Sequence, residues 1–212
     1  MNRDDILAWL LENDPDRLEE LWKEADAVRE AHVGMAVHLR GLVEVGNHCV
    51  RRCAYCGIAA CAPQIPRYRM DQYDILDCVH RAWEYGFGTV VMQSGEDPGL
   101  TLEFVAEVIR SIKARFGLAI TLSLGERSEA ELRAWKQAGA DRYLLRFETT
   151  DPELYRTIHP ALPGTVSDRL QQLLLMRDRA SRSAPGSWWA SPVRPGRPWP
   201  RTSGPSGTST WT

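Results

Sequence analysis

The sequence predicts a parallel α/β fold: about half of a (β/α)8, TIM-type barrel, led by two helices and followed by an irregular tail. Two observations predict it. Apolar strand-like runs alternate with amphipathic helical runs over short connections, the pattern of βαβ units and a parallel sheet. Chemistry-bearing residues gather where those strands end, the edge at which α/β barrels and doubly wound sheets place their sites. About four such units are present, whereas a complete barrel needs ~250 residues.

The elements follow in order. Residues 3–13 and 16–31 read as two helices separated at Asp14-Pro15, because the residue before proline is driven out of the helical region. "GLVEVG" (41–46) is a strand that runs straight into a cysteine cluster, and residues 70–86 are a helix closing on a glycine. "FGTVVMQSG" (87–95) is a strand, residues 100–117 a helix with a basic last turn before Gly117, and "LAITLSLG" (118–125) a strand. Residues 128–139 are a helix and "DRYLLRFE" (141–148) a strand. Asp151-Pro152 opens a short helix, and Ser167 begins another that reaches about Ala180. The domain division is then 1–38 (leading helices), 39–180 (partial barrel) and 181–212 (disordered tail).

Composition restricts the class. The chain has 212 residues, is 43% hydrophobic and 25% charged, and carries a net charge of −2. Those are globular values with no basic footprint for nucleic acid. No apolar run approaches the roughly 20 residues that span a bilayer, and the acidic amphipathic start is wrong for a signal peptide. A cytoplasmic chain is expected. Five cysteines, three of them between Cys49 and Cys56, favour metal over disulfides.

"CVRRCAYCG" places Cys49, Cys53 and Cys56 in a C-x3-C-x2-C pattern, in a loop after the first strand. Three thiolates so spaced hold three irons of a 4Fe–4S cluster and leave the fourth iron open. Zinc is the rival, but a closed zinc site wants four ligands, with Cys61 or His48 as the added one; incidental thiols are the third reading. Tyr55, beside the last thiolate, would shield the cluster from solvent. Cys78, inside a helix, reads as a small core residue. His32, His38, His80 and His159 fit no ligand spacing.

The cysteine motif, with an aromatic residue before its last cysteine, resembles the radical S-adenosylmethionine (SAM) superfamily. "RGLVEVGNHCVRRCAYCGI", "PRYRM", "VVMQSGEDP", "ITLSLGE" and "GADRYLLRFET" look more narrowly like the HydE maturases of iron–iron hydrogenases, in order from about Leu39 to Ala180. Biotin synthase and methylornithine synthase share the cluster loop and are the alternative enzymes; a non-catalytic zinc- or cluster-binding module is the alternative outside catalysis. The resemblance implies a radical SAM barrel carrying a 4Fe–4S cluster and SAM, with Cys49, Cys53 and Cys56 as cluster ligands. It implies that the backbone of Gln93, Ser94, Gly95 and Glu96, with Asp97, meets the SAM amino group. Ser123 and Glu148 match SAM-contacting positions, and Arg169 matches an arginine that pairs with the SAM carboxylate, a task for a planar fork of donors. The family's substrate is a small iron–carbonyl–cyanide species, and its partners are the other hydrogenase maturases, without nucleic acid or membrane. Where the family has basic and polar residues after "CGI", this chain has Ala59-Ala60-Cys61-Ala62.

Each of these positions also has a plainer reading. Arg146 and Glu148, two apart on one strand, would share a face and pair with each other. Ser123 would tie a strand end to its turn, Glu96 and Asp97 would cap the next helix, and Arg169 would be a solvated residue of a first helical turn.

The tail from Ser181 lacks Asp, Glu, Lys, Leu, Ile and Phe yet carries Trp188, Trp189, Trp199 and Trp211. Flexible linkers are not so rich in tryptophan, although "PVRPGRPWP" has the look of a polyproline-type ligand. Because Trp has a single codon, a one-base shift forces Val and Gly from Trp188-Trp189-Ala190. The shifted text admits "GFEVGTGVMVGLPGQT", the fifth strand and turn that the resemblance calls for. A frameshift near Ala180 is therefore expected, leaving a chain with part of the SAM site missing, inactive and poorly soluble.

Overall fold

The computed structural model describes residues 2–62, 65–146, 148, 149, 151–163, 169, 171–174 and 176. The expectations for Ser167, for Ala180 and for 181–212 lie outside the described residues. No described helix is long and apolar enough to cross a membrane.

Residues 2–36 belong to one compact unit and the described residues from Val37 onward to another. The first holds α1 (Arg3–Leu10) and α2 (Pro15–Val33). Asn2 and Asp5 form a reciprocal capping box at the start of α1. Asp14 caps α2 through Asp16 N, with Pro15 at the first helical position, where its missing N–H is needed by no one. The break at Asp14-Pro15 is where the sequence placed it.

The second unit is built on four parallel strands in the order β1 (Gly41–Glu44), β2 (Thr89–Gln93), β3 (Ala119–Ser123) and β4 (Arg142–Tyr143). They are joined by α3 (Gln72–Glu84), α4 (Leu102–Phe116) and α5 (Glu129–Ala138). Each helix begins on a side-chain cap: Asp71 to Asp74 N, Thr101 to Phe104 N, and a capping box between Ser128 and Glu131. The helices bury one stripe each, Ile75, Leu76, Val79 and Ala82 on α3 and Val105, Val108, Ile109 and Ile112 on α4. Against them lie Val43, Val90, Met92, Ile120 and Leu122 from the strands, and Trp135 from α5. Cys78 packs against this core from α3, as expected of a small apolar side chain. The opposite face of the sheet is more open: Leu42 and Leu144 are 57% and 38% exposed.

The strands are shorter than the sequence predicts, β4 most of all. Its pairing stops at Leu122↔Tyr143, with Leu144 N still donating to Leu122 O at 2.7 Å. Leu124 O, two residues on, accepts from Arg127 Nε at 3.2 Å, and residues 144–146 carry no strand pairing. After β4 come α6 (Pro152–Ile158), capped by Asp151, and helical residues at 169, 171–174 and 176, with Met176 buried in the core.

Candidate metal and cofactor site

The three clustered cysteines leave β1 on a loop laid over the ends of β2 and β3. Val45 N first extends the pairing by donating to Gln93 O at 2.8 Å, and Val50 N then donates to Glu96 O at 2.9 Å. Between these ties the backbones nearly touch. A Cβ on Gly95 would sit 2.4 Å from His48 O and 2.6 Å from Cys49 Cβ, so only glycine allows the loop to rest here. The return arm closes the loop from outside. Arg67 donates to the carbonyls of Asn47, Ile58 and Ala59 at 2.5, 2.8 and 2.7 Å, and Asn47 exchanges side-chain bonds with Pro66 O and Tyr68 N. Ala54 N donates to Ile158 O at 2.9 Å, tying the loop to the end of α6.

All three thiols are free, with Cys53 buried and Cys49 and Cys56 partly so. Burial pushes the Cys53 thiol up; the nearby Arg169 cation opposes that, and the charges of Cys49 and Cys56 reinforce it. The three sulfurs therefore share one electrostatic neighbourhood. A cubane takes one thiolate per iron at separate corners, and three free thiols on one loop in one electrostatic neighbourhood are such a donor set. Cys61 is exposed. Burial, then the charges of Cys53 and Glu148, push the Tyr55 hydroxyl well up.

Beneath the loop lies a charge network that the sequence did not announce. Arg51, between the first two cysteines and 4% exposed, donates from Nε to Glu96 Oε1 at 2.7 Å and from Nη2 to Glu126 Oε2 at 2.8 Å. Glu126 N donates to Glu96 Oε2 at 2.9 Å, and Arg169 Nε donates to Glu126 Oε1 at 2.9 Å. Gly125, with φ +81°, makes the turn that brings Glu126 back over Glu96. His159, fully buried, has Nε2 3.9 Å from Glu126 Oε1. Asp97 lies beside this network in a bidentate pair with Arg69 at 2.7 and 2.8 Å. Its burial raises the carboxyl, but the bonds from Arg69 and Gly99 N outweigh that and hold it below its usual range.

The structure brings most of the expected residues together. Ser94 N donates to Ser123 O at 3.1 Å, joining the ends of β2 and β3, and Ser94 Oγ donates to Gly95 O. Gln93 Oε1 accepts from Arg146 Nη2 at 3.5 Å, so Arg146 reaches across to β2 and the expected Arg146–Glu148 pair does not form. The capping reading of Glu96 and Asp97 also fails: Thr101 caps α4, while the two acids hold arginines instead. Arg169 is no solvated first-turn residue, since its side chain is 10% exposed. Glu148 is exposed and stands beside Tyr55. Arg51, Glu126 and His159 were missed. Arg51 and Glu126 carried a signal, one lying inside the cysteine motif and the other directly after a strand-end glycine. His159 carried none.

His159 supplies a pH prediction. Burial, then the Arg169 charge, lower the imidazole's proton affinity; Glu126 opposes them and Arg51 adds to them. The folded chain thus binds fewer protons here than the unfolded one, whose imidazole titrates near ~6.5. The stability is complete above that value and falls as pH drops through it toward the lower folded value. Urea melts of the metal-free chain should show lower stability at about pH 5.5 than at pH 7.5, and His159→Gln should flatten that slope. An unchanged slope in the variant assigns the acid sensitivity to other groups.

A model of the radical SAM superfamily matches residues 43–184, from β1 onward. The chain belongs to the radical SAM superfamily. Enzymes of this superfamily use a 4Fe–4S cluster and SAM. The chain is 39% identical over 175 residues to the [FeFe] hydrogenase maturase subunit HydE of Thermotoga maritima, covering 82% of this chain and 49% of that protein. It is 31% identical over 161 residues to the 3-methylornithine synthase of Methanosarcina acetivorans, covering 74% and 45%. Its fold matches the crystal structure of methylornithine synthase (PylB) with a TM-score of 0.71 at 24% identity, over 86% of this chain and 61% of that one. The chain spans about half the length of the curated relatives it matches. The parallel half-barrel expected from the sequence is thus the architecture of this radical SAM chain.

Proposed function

We propose that the protein to which this radical SAM chain belongs serves HydE-type assembly of the diiron subcluster of iron–iron hydrogenase. In this reading it acts through reductive cleavage of SAM on a small iron–carbonyl–cyanide substrate supplied by a partner maturase. The observation that carries the reading is the 39% identity to HydE over 82% of the chain, against 31% over 74% for methylornithine synthase. Cys49, Cys53 and Cys56 would hold the cluster on the loop fixed by Val50, Gly95 and Arg67. Bound there, a 4Fe–4S cluster would supply the electron for reductive cleavage of SAM. The remaining tasks fall to the chain. The backbone of Gln93, Ser94, Gly95 and Glu96 would receive the SAM amino group, and Arg169 its carboxylate. Ser123 and Glu148 would contact the rest of SAM, and Tyr55 would keep water from the cluster.

Anaerobic reconstitution with iron and sulfide tests the first step. Broad absorbance near ~400 nm, from thiolate-to-iron charge transfer, is expected. A colourless protein that retains zinc overturns the reading in favour of a metal-binding module. Hydrogenase and maturase genes beside this one are the expected setting; neighbours serving biotin or methylornithine synthesis would favour a small organic substrate, the reading that the methylornithine synthase likeness supports.

A further inference from the structure

Among the described residues, two hydrogen bonds hold the Arg169 guanidinium before any ligand arrives. Nε donates to Glu126 Oε1 at 2.9 Å, and Nη1 donates to Arg146 O at 2.7 Å. Nη2 is 4.0 Å from Glu96 Oε2, too far for a hydrogen bond. A guanidinium has five N–H groups in one plane. Among the described residues Nε and one N–H of Nη1 are engaged, which leaves the second N–H of Nη1 and both of Nη2, the two nitrogens of the end-on edge. That is the edge that grips a carboxylate with two parallel bonds. The group is buried, and its charge is felt at Cys53 and Tyr55, so it stands close to the cysteine loop.

What sets the plane of this fork is Glu126. Its carboxylate lies between two arginines, with Oε2 on Arg51 Nη2 at 2.8 Å and Oε1 on Arg169 Nε at 2.9 Å. Its backbone is fixed too, by the bond to Glu96 Oε2 at 2.9 Å. Arg51 belongs to the cysteine loop, so loop, strand ends and fork form one continuous chain of contacts.

We propose that Glu126 is a positioning residue that turns the end-on edge of Arg169 toward the carboxylate of SAM, with Arg51 holding Glu126 in place. The inference rests on the reading of Arg169 as the SAM-carboxylate arginine. Glutamine at 126 keeps the volume but cannot accept from two guanidinium groups as a carboxylate does. Equilibrium dialysis on the cluster-loaded chain, with SAM and with decarboxylated SAM, tests it. Glu126→Gln should weaken SAM about tenfold, or ~1.4 kcal/mol, and change decarboxylated SAM by less than about twofold, the latter lacking the group that the fork grips. Arg169→Lys should weaken SAM at least as much, and adding Glu126→Gln to it should cost little more, since both act on one contact. Equal weakening of both ligands by Glu126→Gln would make Glu126 a support of the fold alone and overturn the proposal. So would a loss with Arg169→Lys and none with Glu126→Gln. Unchanged SAM affinity in Arg169→Lys, or no SAM binding by the unaltered chain, would instead overturn the reading of Arg169 and the proposal with it.

Discussion

Arg51→Met is expected to destabilise the metal-free chain by roughly 3–5 kcal/mol, the usual result of deleting one partner from a buried ion pair. The side chain is 5% exposed, and its partners Glu96 and Glu126 are 11% and 13% exposed, so solvent screens little of the charge left behind. Methionine fills much of the volume, which leaves the unpaired carboxylates as the main cost. Among the described residues, Glu126 keeps Arg169, whereas Glu96 keeps the Glu126 backbone donor and a guanidinium 4.0 Å away. Adding Glu96→Gln to Arg51→Met should therefore recover part of the loss, as expected for two groups in direct contact. Urea melts of the four proteins in the cycle measure this. Additive losses, or an Arg51→Met chain within about 1 kcal/mol of the original, would show that the Arg51–Glu96 pair does not help to dock the loop.

Gly95→Ala is expected to release the cysteine loop from the sheet. The added Cβ would lie 2.4 Å from His48 O, 2.6 Å from Cys49 Cβ and 3.1 Å from His48 C, none of which can rotate away. Such overpacking costs about 1–3 kcal/mol or more, and relief requires the loop to rise off β2 and carry Cys49 with it. Iron retained after reconstitution and desalting should fall at least severalfold. Gly57→Ala is the control: it lies in the same loop, but its Cβ would meet nothing within 4 Å. Iron content in that variant should match the original chain. If both variants load alike, contact at Gly95 does not govern the position of the thiols.

Much of the second unit was legible because its signals are local. Alternation of strand and helix, and the glycines that close the helices at Gly86 and Gly117, follow from residues a few places apart. The C-x3-C-x2-C motif was legible for the same reason, since one loop carries all three thiols. Glu96 and Asp97 were harder. Acids just ahead of a helix usually cap it, and the arginines that claim them come from 45 and 28 residues upstream. The extent of β4 was misjudged because "DRYLLRFE" has strand composition throughout, while its pairing with β3 ends at Leu122↔Tyr143.

By itself the sequence determined the parallel α/β unit, the order of its elements and the thiol set on the first loop, because apolar periodicity and cap residues act over one or two turns. Only the tertiary structure decided what lies beneath that loop. Arg51, Glu126, His159 and Arg169 come from three strand-end or loop segments and one later helix, and nothing in their local spacing links them. Burial made them a network: with water excluded, the charges of Arg51, Glu126 and Arg169 had to find opposite partners from other elements, and those pairings set where the cysteine loop and the Arg169 fork stand.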